Sequence, residues 1–152
     1  MNPSDLASLF RFVLVRTSHP GNIGGAARAI RTMGFTRLEL VAPQRFPDRE
    51  ADALAANAVQ VLAEAGVHDT LVEGLSGASF ALGLSARRRG VNLPELSPRE
   101  GAAQALAAAA RGEQVALLFG NERSGLENEE LATCHAMVRS PSVDDFSSLN
   151  LA

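Results

Sequence analysis

The chain has 152 residues, of which 46% are hydrophobic and 20% are charged, and its net charge is −3. This composition is ordinary for one globular domain, and the negative charge argues against a broadly basic, non-specific nucleic-acid binder. All 14 basic residues are arginine. The absence of lysine excludes P-loop nucleotide-binding enzymes and pyridoxal phosphate enzymes, because both classes need a lysine side chain.

The chain shows no pattern of export, membrane insertion or metal binding. Its longest apolar run, the alanine-rich stretch at 105–110, is far shorter than the ~20 residues of a membrane span, and no signal peptide precedes the first strand. Cys134 is the single cysteine, and His19, His68 and His135 are scattered without a zinc-ligand spacing. We therefore expect a cytoplasmic protein without a metal site.

The first half of the chain alternates between apolar strands and helical patterns. Residues 10–16 are predicted as a strand, followed by a turn at 19–21 and a helix at 23–33. Residues 38–41 are predicted as a second strand, and the apolar spacing of 48–62 predicts a helix. Thr70 and Glu73 match a capping box that opens a short helix ending at Gly77.

The second half continues the alternation. After a strand at 80–84, Ser97, Pro98 and Glu100 mark the start of a helix that ends near Gly112. Strands are predicted at 115–119 and 135–139, and Asn128 is predicted to cap a helix at 129–134. The alternation predicts one α/β domain, with a mostly parallel sheet flanked by helices on both faces. Ligands bind such sheets beyond the carboxyl ends of the strands, so function is expected in loops 17–25, 85–96, 120–127 and 140–150.

The first loop and the helix after it combine glycines with polar groups. Gly21, Gly24 and Gly25 permit tight turns and close backbone approach, which by themselves indicate only a closely packed strand-to-helix turn. Asn22 and Arg28 add an amide and a fixed cation where functional residues usually lie. We therefore interpret this segment as part of a site.

Two further loops have the same character. Gly120 and Gly125 bracket the adjacent charges of Glu122 and Arg123 directly after an apolar strand, where the alternative is a surface turn with a solvated ion pair. Ser148 and Asn150 follow the polar loop 140–145 and would face one pocket in an extended segment. The alternative there is a helix cap at Ser147 or Ser148, and both interpretations are compatible.

The ordered motifs HPGNIGGAARAIRTMG, LFGNERSGL and SSLNLA resemble the TrmH-like group of SPOUT RNA ribose 2′-O-methyltransferases, most closely its TrmJ tRNA methyltransferase branch. The resemblance runs from Phe10 to Ala152. It implies S-adenosylmethionine as cofactor, tRNA as substrate, methylation of a cytidine or uridine ribose in the anticodon loop, a homodimer and a C-terminal deep trefoil knot.

The resemblance also implies residue roles. Arg28 would lie beside the ribose 2′-hydroxyl to orient the nucleotide and stabilise the developing alkoxide, while Asn22 and Glu122 would fix Arg28 and its loop. Ser148 and Asn150 would hold substrate or the knot backbone. The cofactor would contact Leu84, Ser85, Gly120, Val138 and Leu149, and the RNA would contact Arg87, Arg88, Arg89 and Arg123.

The chain ends at Ala152, inside the motif that opens the knot-closing helix in the family. We therefore expect residues 1–152 to be a single SPOUT catalytic domain truncated at its C terminus, without that helix. Two alternatives stay open: a related SPOUT methyltransferase for ribosomal RNA or the tRNA wobble ribose, and an inactive cofactor- or RNA-binding module.

Overall fold

A computed structural model of the protein describes residues 2–85 and 92–139. Within them, the strands are β1 (Phe10–Val15), β2 (Leu38–Val41), β3 (Gly66–His68), β4 (Phe80–Ser85), β5 (Glu95–Leu96), β6 (Val115–Phe119) and β7 (Ala136–Arg139). The helices are α1 (Pro3–Ala7), α2 (Pro20–Thr32), α3 (Arg49–Ala55), α4 (Val59–Ala63), α5 (Leu71–Gly74), α6 (Pro98–Ala110) and α7 (Asn128–Leu131). A 3-10 turn, Ala56–Ala58, joins α3 to α4.

The strands form one 7-stranded sheet in the order β3-β2-β1-β6-β4-β7-β5. Every pair of neighbouring strands is parallel. The predicted α/β fold with a mostly parallel sheet is therefore confirmed. None of the helices in the described part of the chain is both long and apolar enough to cross a membrane.

The central strands are buried on both sides because helices cover both faces of the sheet. On one face Leu14 and Leu40 pack against Ile23 of α2 and Ala55 of α3, while α6 covers the neighbouring strands through its own alanines. On the other face, alternate strand residues pack around Leu131 of α7. Apolar burial on two faces thus holds the strand ends at fixed positions.

The predicted helix caps were confirmed at two helices and wrong at a third. Ser97 Oγ accepts a hydrogen bond from Glu100 N at 3.1 Å, and the Thr70–Glu73 pair closes in the same way, so both capping boxes are confirmed. Asn128 is the first residue of α7 and does not cap it; instead, the carboxylate of Glu130 accepts a hydrogen bond from Glu127 N at 2.7 Å.

Other predicted boundaries were wrong for local reasons. The predicted turn at 19–21 is already helical from Pro20, whose fixed φ and missing N–H suit the first position of a helix. The predicted helix at 48–62 is broken at Ala56, where φ is +51°. The predicted helix at 129–134 ends at Leu131, and the one predicted to end at Gly77 ends at Gly74.

The sequence patterns missed α1, β3 and β5. Each is short, and β3 and β5 lie at the two edges of the sheet. A strand of two or three residues has too few positions for a hydrophobic period, so only its pairing with a neighbour defines it. β3 pairs with β2, and β5 pairs with β7.

We expect Gly24→Ala to destabilise the fold by about 1–3 kcal/mol, because it overpacks the contact between α2 and α3. A Cβ at Gly24 would overlap the carbonyl oxygen of Ala51 and lie 3.0 Å from Ala55 N. Urea unfolding monitored by circular dichroism measures the change. Ala53→Ser, at an exposed position of α3, is the control and should stay within about 0.5 kcal/mol. Equal stabilities for the two variants would contradict the tight contact.

Candidate active site

The Glu122 carboxylate joins the loop after β6 to the loop after β1. Its Oε1 accepts hydrogen bonds from Ser18 N at 2.9 Å and from Ser18 Oγ at 3.0 Å. Its Oε2 accepts from His19 N and from Asn22 Nδ2, both at 2.9 Å. Asn22 and Glu122, which sequence patterns placed in separate loops, are therefore in direct contact, and Ser18 and His19 complete the cluster.

These hydrogen bonds decide the ionisation of Glu122. Partial burial acts to raise the pKa of the carboxyl, but hydrogen bonds from Ser18 N, the Asn22 amide and His19 N outweigh it and lower the pKa from 4.5 to about 2. Glu122 is thus a carboxylate throughout the neutral range.

Asn121 shapes the turn that carries Glu122. Its Oδ1 accepts hydrogen bonds from Arg123 N at 2.9 Å and Ser124 N at 3.2 Å, and its Nδ2 donates to the carbonyl oxygen of Arg16 at 2.8 Å. Sequence reasoning missed Asn121 as a site residue. The available signal was its type, since asparagine commonly organises turns by bonding to backbone two residues on.

Packing within the turn explains why position 120 is a glycine, whereas the sequence predicted a glycine there for contact with a ligand. A Cβ there would overlap the backbone of Gly125 and Leu126, onto which the loop folds back. Gly125 itself has a φ of +70°, a conformation that favours glycine. Both glycines are thus required by the turn itself.

Arg16 clamps the other side of this loop. Its Nε and Nη2 bind the two carboxylate oxygens of Glu130, each at 2.8 Å, and Nη2 also donates to the Gly125 carbonyl oxygen at 3.0 Å. The hydrogen bond to Glu130 raises the pKa of the guanidinium, against the effect of burial. Sequence reasoning treated Arg16 only as the last residue of a strand, because its partners are more than 100 positions away.

Arg28 lies further along α2 and is exposed. Among residues 2–85 and 92–139, its guanidinium has no hydrogen-bond or ion-pair partner, so neither Asn22 nor Glu122 binds it. The expectation that these two residues fix Arg28 is therefore corrected: the side chains fix the first loop. Arg28 is left available to a ligand.

The predicted cofactor residues that the structure describes lie together at the carboxyl ends of β4, β6 and β7. Leu84 is the register partner of both Phe119 and Val138, so the ends of β4, β6 and β7 lie side by side. Ser85 is buried at the end of β4, and Gly120 directly follows β6. Leu149, Ser148, Asn150 and the arginines Arg87, Arg88 and Arg89 lie outside the described residues.

A cavity of about 450 Å³ opens beside the Glu122 cluster. It is lined by Ser18, His19, Gln44, Asn121, Glu122 and Arg123. Arg123, predicted to bind RNA, is exposed there. Gln44 was not predicted, since it follows a strand end in a loop without a recognisable motif. The described residues contain no group of three or more potential metal ligands.

We expect Glu122→Gln to lower the free energy of unfolding by about 2 kcal/mol at pH 7, after allowance for solvent screening. Because the folded pKa is depressed to about 2, this stabilisation is present above pH ~4.5 and is lost as the pH falls towards 2. Chemical denaturation of both proteins across this range should show the difference shrinking with acid. Glu64→Gln, at an exposed position, is the control; an equal, pH-independent effect of both changes would refute the anchoring role.

We expect a double-mutant cycle of Arg16→Ala and Glu130→Ala to give a coupling of about 1.5 kcal/mol or more, because the pair is bidentate and the exposed fractions of the two side chains are 27% and 13%. The matched pair Arg45–Glu50, with a 3.6 Å separation and exposed fractions of 60% and 55%, should give about 0.5 kcal/mol or less. Thermal and urea unfolding provide the four stabilities. Similar couplings for the two pairs would argue against the clamp.

Comparison with known proteins identifies the family of this chain. The sequence model of the SpoU rRNA Methylase family matches residues 9–152. The tRNA (cytidine/uridine/adenosine-2′-O-)-methyltransferase TrmJ of Pseudomonas aeruginosa is 53% identical over 142 residues, which cover 93% of this chain but 55% of that relative. The chain thus spans about half the length of this curated relative.

Solved structures show the same fold. A probable methyltransferase from Bordetella pertussis superimposes with a TM-score of 0.90 at 41% identity, covering 97% of this chain and 90% of that one. TrmJ from Z. mobilis superimposes with a TM-score of 0.85 at 37% identity, covering 93% of this chain and 62% of that one. A sequence model of the family matches most of the chain, a relative is more than half identical to it, and solved structures share its fold. The chain therefore belongs to the SpoU rRNA Methylase family.

Proposed function

We propose that this chain is the catalytic domain of an S-adenosylmethionine-dependent methyltransferase that modifies the ribose 2′-hydroxyl of a cytidine or uridine in the tRNA anticodon loop. The observation that carries the proposal is the Glu122 cluster, which joins the loops after β1 and β6 beside the converging ends of β4 and β7. Relatives of the same family at about half identity are named as tRNA 2′-O-methyltransferases.

The strand ends fit S-adenosylmethionine in their chemistry. Leu84, Ser85 and Val138 bring apolar side chains and strand-end backbone groups together at one edge, and such groups suit an adenine and a methionine chain. When bound, the cofactor supplies a methyl group on a positively charged sulfur. Gly120 and Leu149 complete the proposed set of cofactor contacts.

Glu122 is not suited to take the hydroxyl proton. Four donor groups already occupy its two oxygens, and a pKa of about 2 is far from the value of an efficient general base near neutral pH. We assign Glu122 and Asn22 to positioning the first loop. The proton then leaves to another acceptor, for which a phosphate of the substrate is available.

Arg28 is the group proposed to meet the reacting hydroxyl. A guanidinium stays charged and cannot serve as a base, but it can orient the nucleotide and stabilise negative charge that develops on the 2′-oxygen. Its exposure and its lack of a partner in residues 2–85 and 92–139 leave its donors available for that contact.

The remaining proposed contacts involve the tRNA backbone and the closure of the site. Arg123 lies on the rim of the cavity beside Glu122, and we assign it, with Arg87, Arg88 and Arg89, to tRNA phosphates. Ser148 and Asn150 are proposed to hold substrate or the knotted backbone. The proposal includes a homodimer and a cytoplasmic location, where tRNA would be available as substrate.

We expect Arg28→Ala to lower the methyl-transfer rate by about 100-fold or more, because it removes stabilisation of the charge that forms in the transition state. The measurement is transfer of radiolabelled methyl from S-adenosylmethionine to tRNA, with mapping of the modified nucleotide. Circular dichroism and calorimetric cofactor affinity should stay unchanged. Arg31→Ala, an exposed arginine on the same helix, is the matched control and should retain activity.

Two results would contradict the assignment of function. A near-normal rate for folded Arg28→Ala would reject the role of that arginine. Methyl incorporation into ribosomal RNA in place of tRNA would reject the proposed substrate, as would cofactor binding without transfer to any RNA.

A further inference from the structure

Gln44 gives the cavity a polar wall that the proposed chemistry does not use. It follows β2 in the chain, and its backbone N–H donates to the carbonyl oxygen of Thr17 at 3.0 Å. Thr17 directly precedes Ser18, which binds Glu122. The position of Gln44 relative to the Glu122 cluster is therefore fixed through the backbone.

Gln44 is one of the residues that line this cavity. The residue is exposed, and its carboxamide has no hydrogen-bond partner among residues 2–85 and 92–139. A carboxamide carries a donor NH₂ and an acceptor oxygen side by side. Such a pair matches the edge of a nucleobase, and glutamine is used for base recognition in nucleic-acid complexes.

The surrounding groups fit a nucleotide as well. His19 and Arg123 also line the cavity. Side chains of both types can stack on unpaired RNA bases. The volume of about 450 Å³ falls in the range of small-ligand sites. The negative charge of Glu122 is already offset by donors from Ser18, His19 and Asn22.

We propose that Gln44 is a base-contacting residue whose carboxamide binds the edge of the pyrimidine base of the methylated nucleotide. Cytosine presents a donor amino group beside an acceptor nitrogen, whereas uracil presents an acceptor oxygen beside a donor N–H. A carboxamide meets either pattern by turning half a revolution about its terminal torsion, which is broad and roughly two-fold. Gln44 therefore accepts both pyrimidines, and this inference rests on the proposed function.

Gln44→Glu tests the inference because a carboxylate only accepts hydrogen bonds. It accepts from the amino group of cytosine, which has a second N–H directed away from the N3 acceptor. The single donor of uracil, N3–H, lies between the acceptors O2 and O4, which both repel the carboxylate. The experiment measures kcat/KM on two full-length tRNA transcripts that differ only in C or U at the methylated position. We expect the C-to-U ratio to rise about 10-fold or more over that of the unaltered chain. The ratio cancels the general repulsion between the added charge and RNA.

Two further variants separate base contact from a structural effect. Gln44→Leu removes both hydrogen-bonding groups, so it should raise KM for both transcripts about 10-fold with kcat held within about 2-fold. Gln104→Glu, at an exposed position on α6 away from this cavity, adds the same charge and should leave the ratio unchanged.

The outcomes are distinguishable from failure of the proposed function. If the unaltered chain methylates both transcripts and Gln44→Glu leaves their ratio unchanged, the base contact is wrong and the methyltransferase assignment stands. The inference is also overturned if Gln44→Glu changes the C-to-U ratio only when the nucleotide next to the methylated position is altered as well. If the unaltered chain modifies neither transcript, the proposed function itself fails, and the inference fails with it.

Discussion

The site depends on one partly buried carboxylate. Glu122 follows β6, and it receives hydrogen bonds from Ser18, His19 and Asn22, which follow β1. The two strands are direct neighbours, with Leu14 opposite Phe119 at their ends. The sheet therefore brings both loops to the same place, where the carboxylate accepts from Ser18 N and His19 N directly before α2 begins.

The loop that bears Glu122 is held again on its other side. Arg16 binds Glu130 and the Gly125 carbonyl oxygen, while its own carbonyl oxygen accepts from Asn121. Arg16 has a φ of +57°, which directs the chain out of β1 towards this loop. A loop held from two sides loses little entropy when a ligand binds, which is the physical meaning of a preorganised site.

Sequence patterns predicted the central strands and the helix starts at Ser97 and Thr70 because those signals are local: apolar runs and paired capping residues. They also placed Asn22 and Glu122 beyond strand ends. They could not find Arg16 or Gln44, whose roles come from contacts with distant segments. A residue's non-local partners have no signature in its own neighbourhood, and short edge strands are defined only by pairing.

The motif residues differ in what the fold itself requires of them. Gly120, Gly24 and Glu122 each have a structural reason: two avoid overlap with a neighbouring backbone, and one anchors a loop. Arg28 is exposed and without a partner in the part of the chain that the structure describes, so the fold explains nothing about it. A motif residue that the fold does not need is the best candidate for chemistry, which is why Arg28, rather than the hydrogen-bonded Glu122, is proposed to meet the reacting hydroxyl.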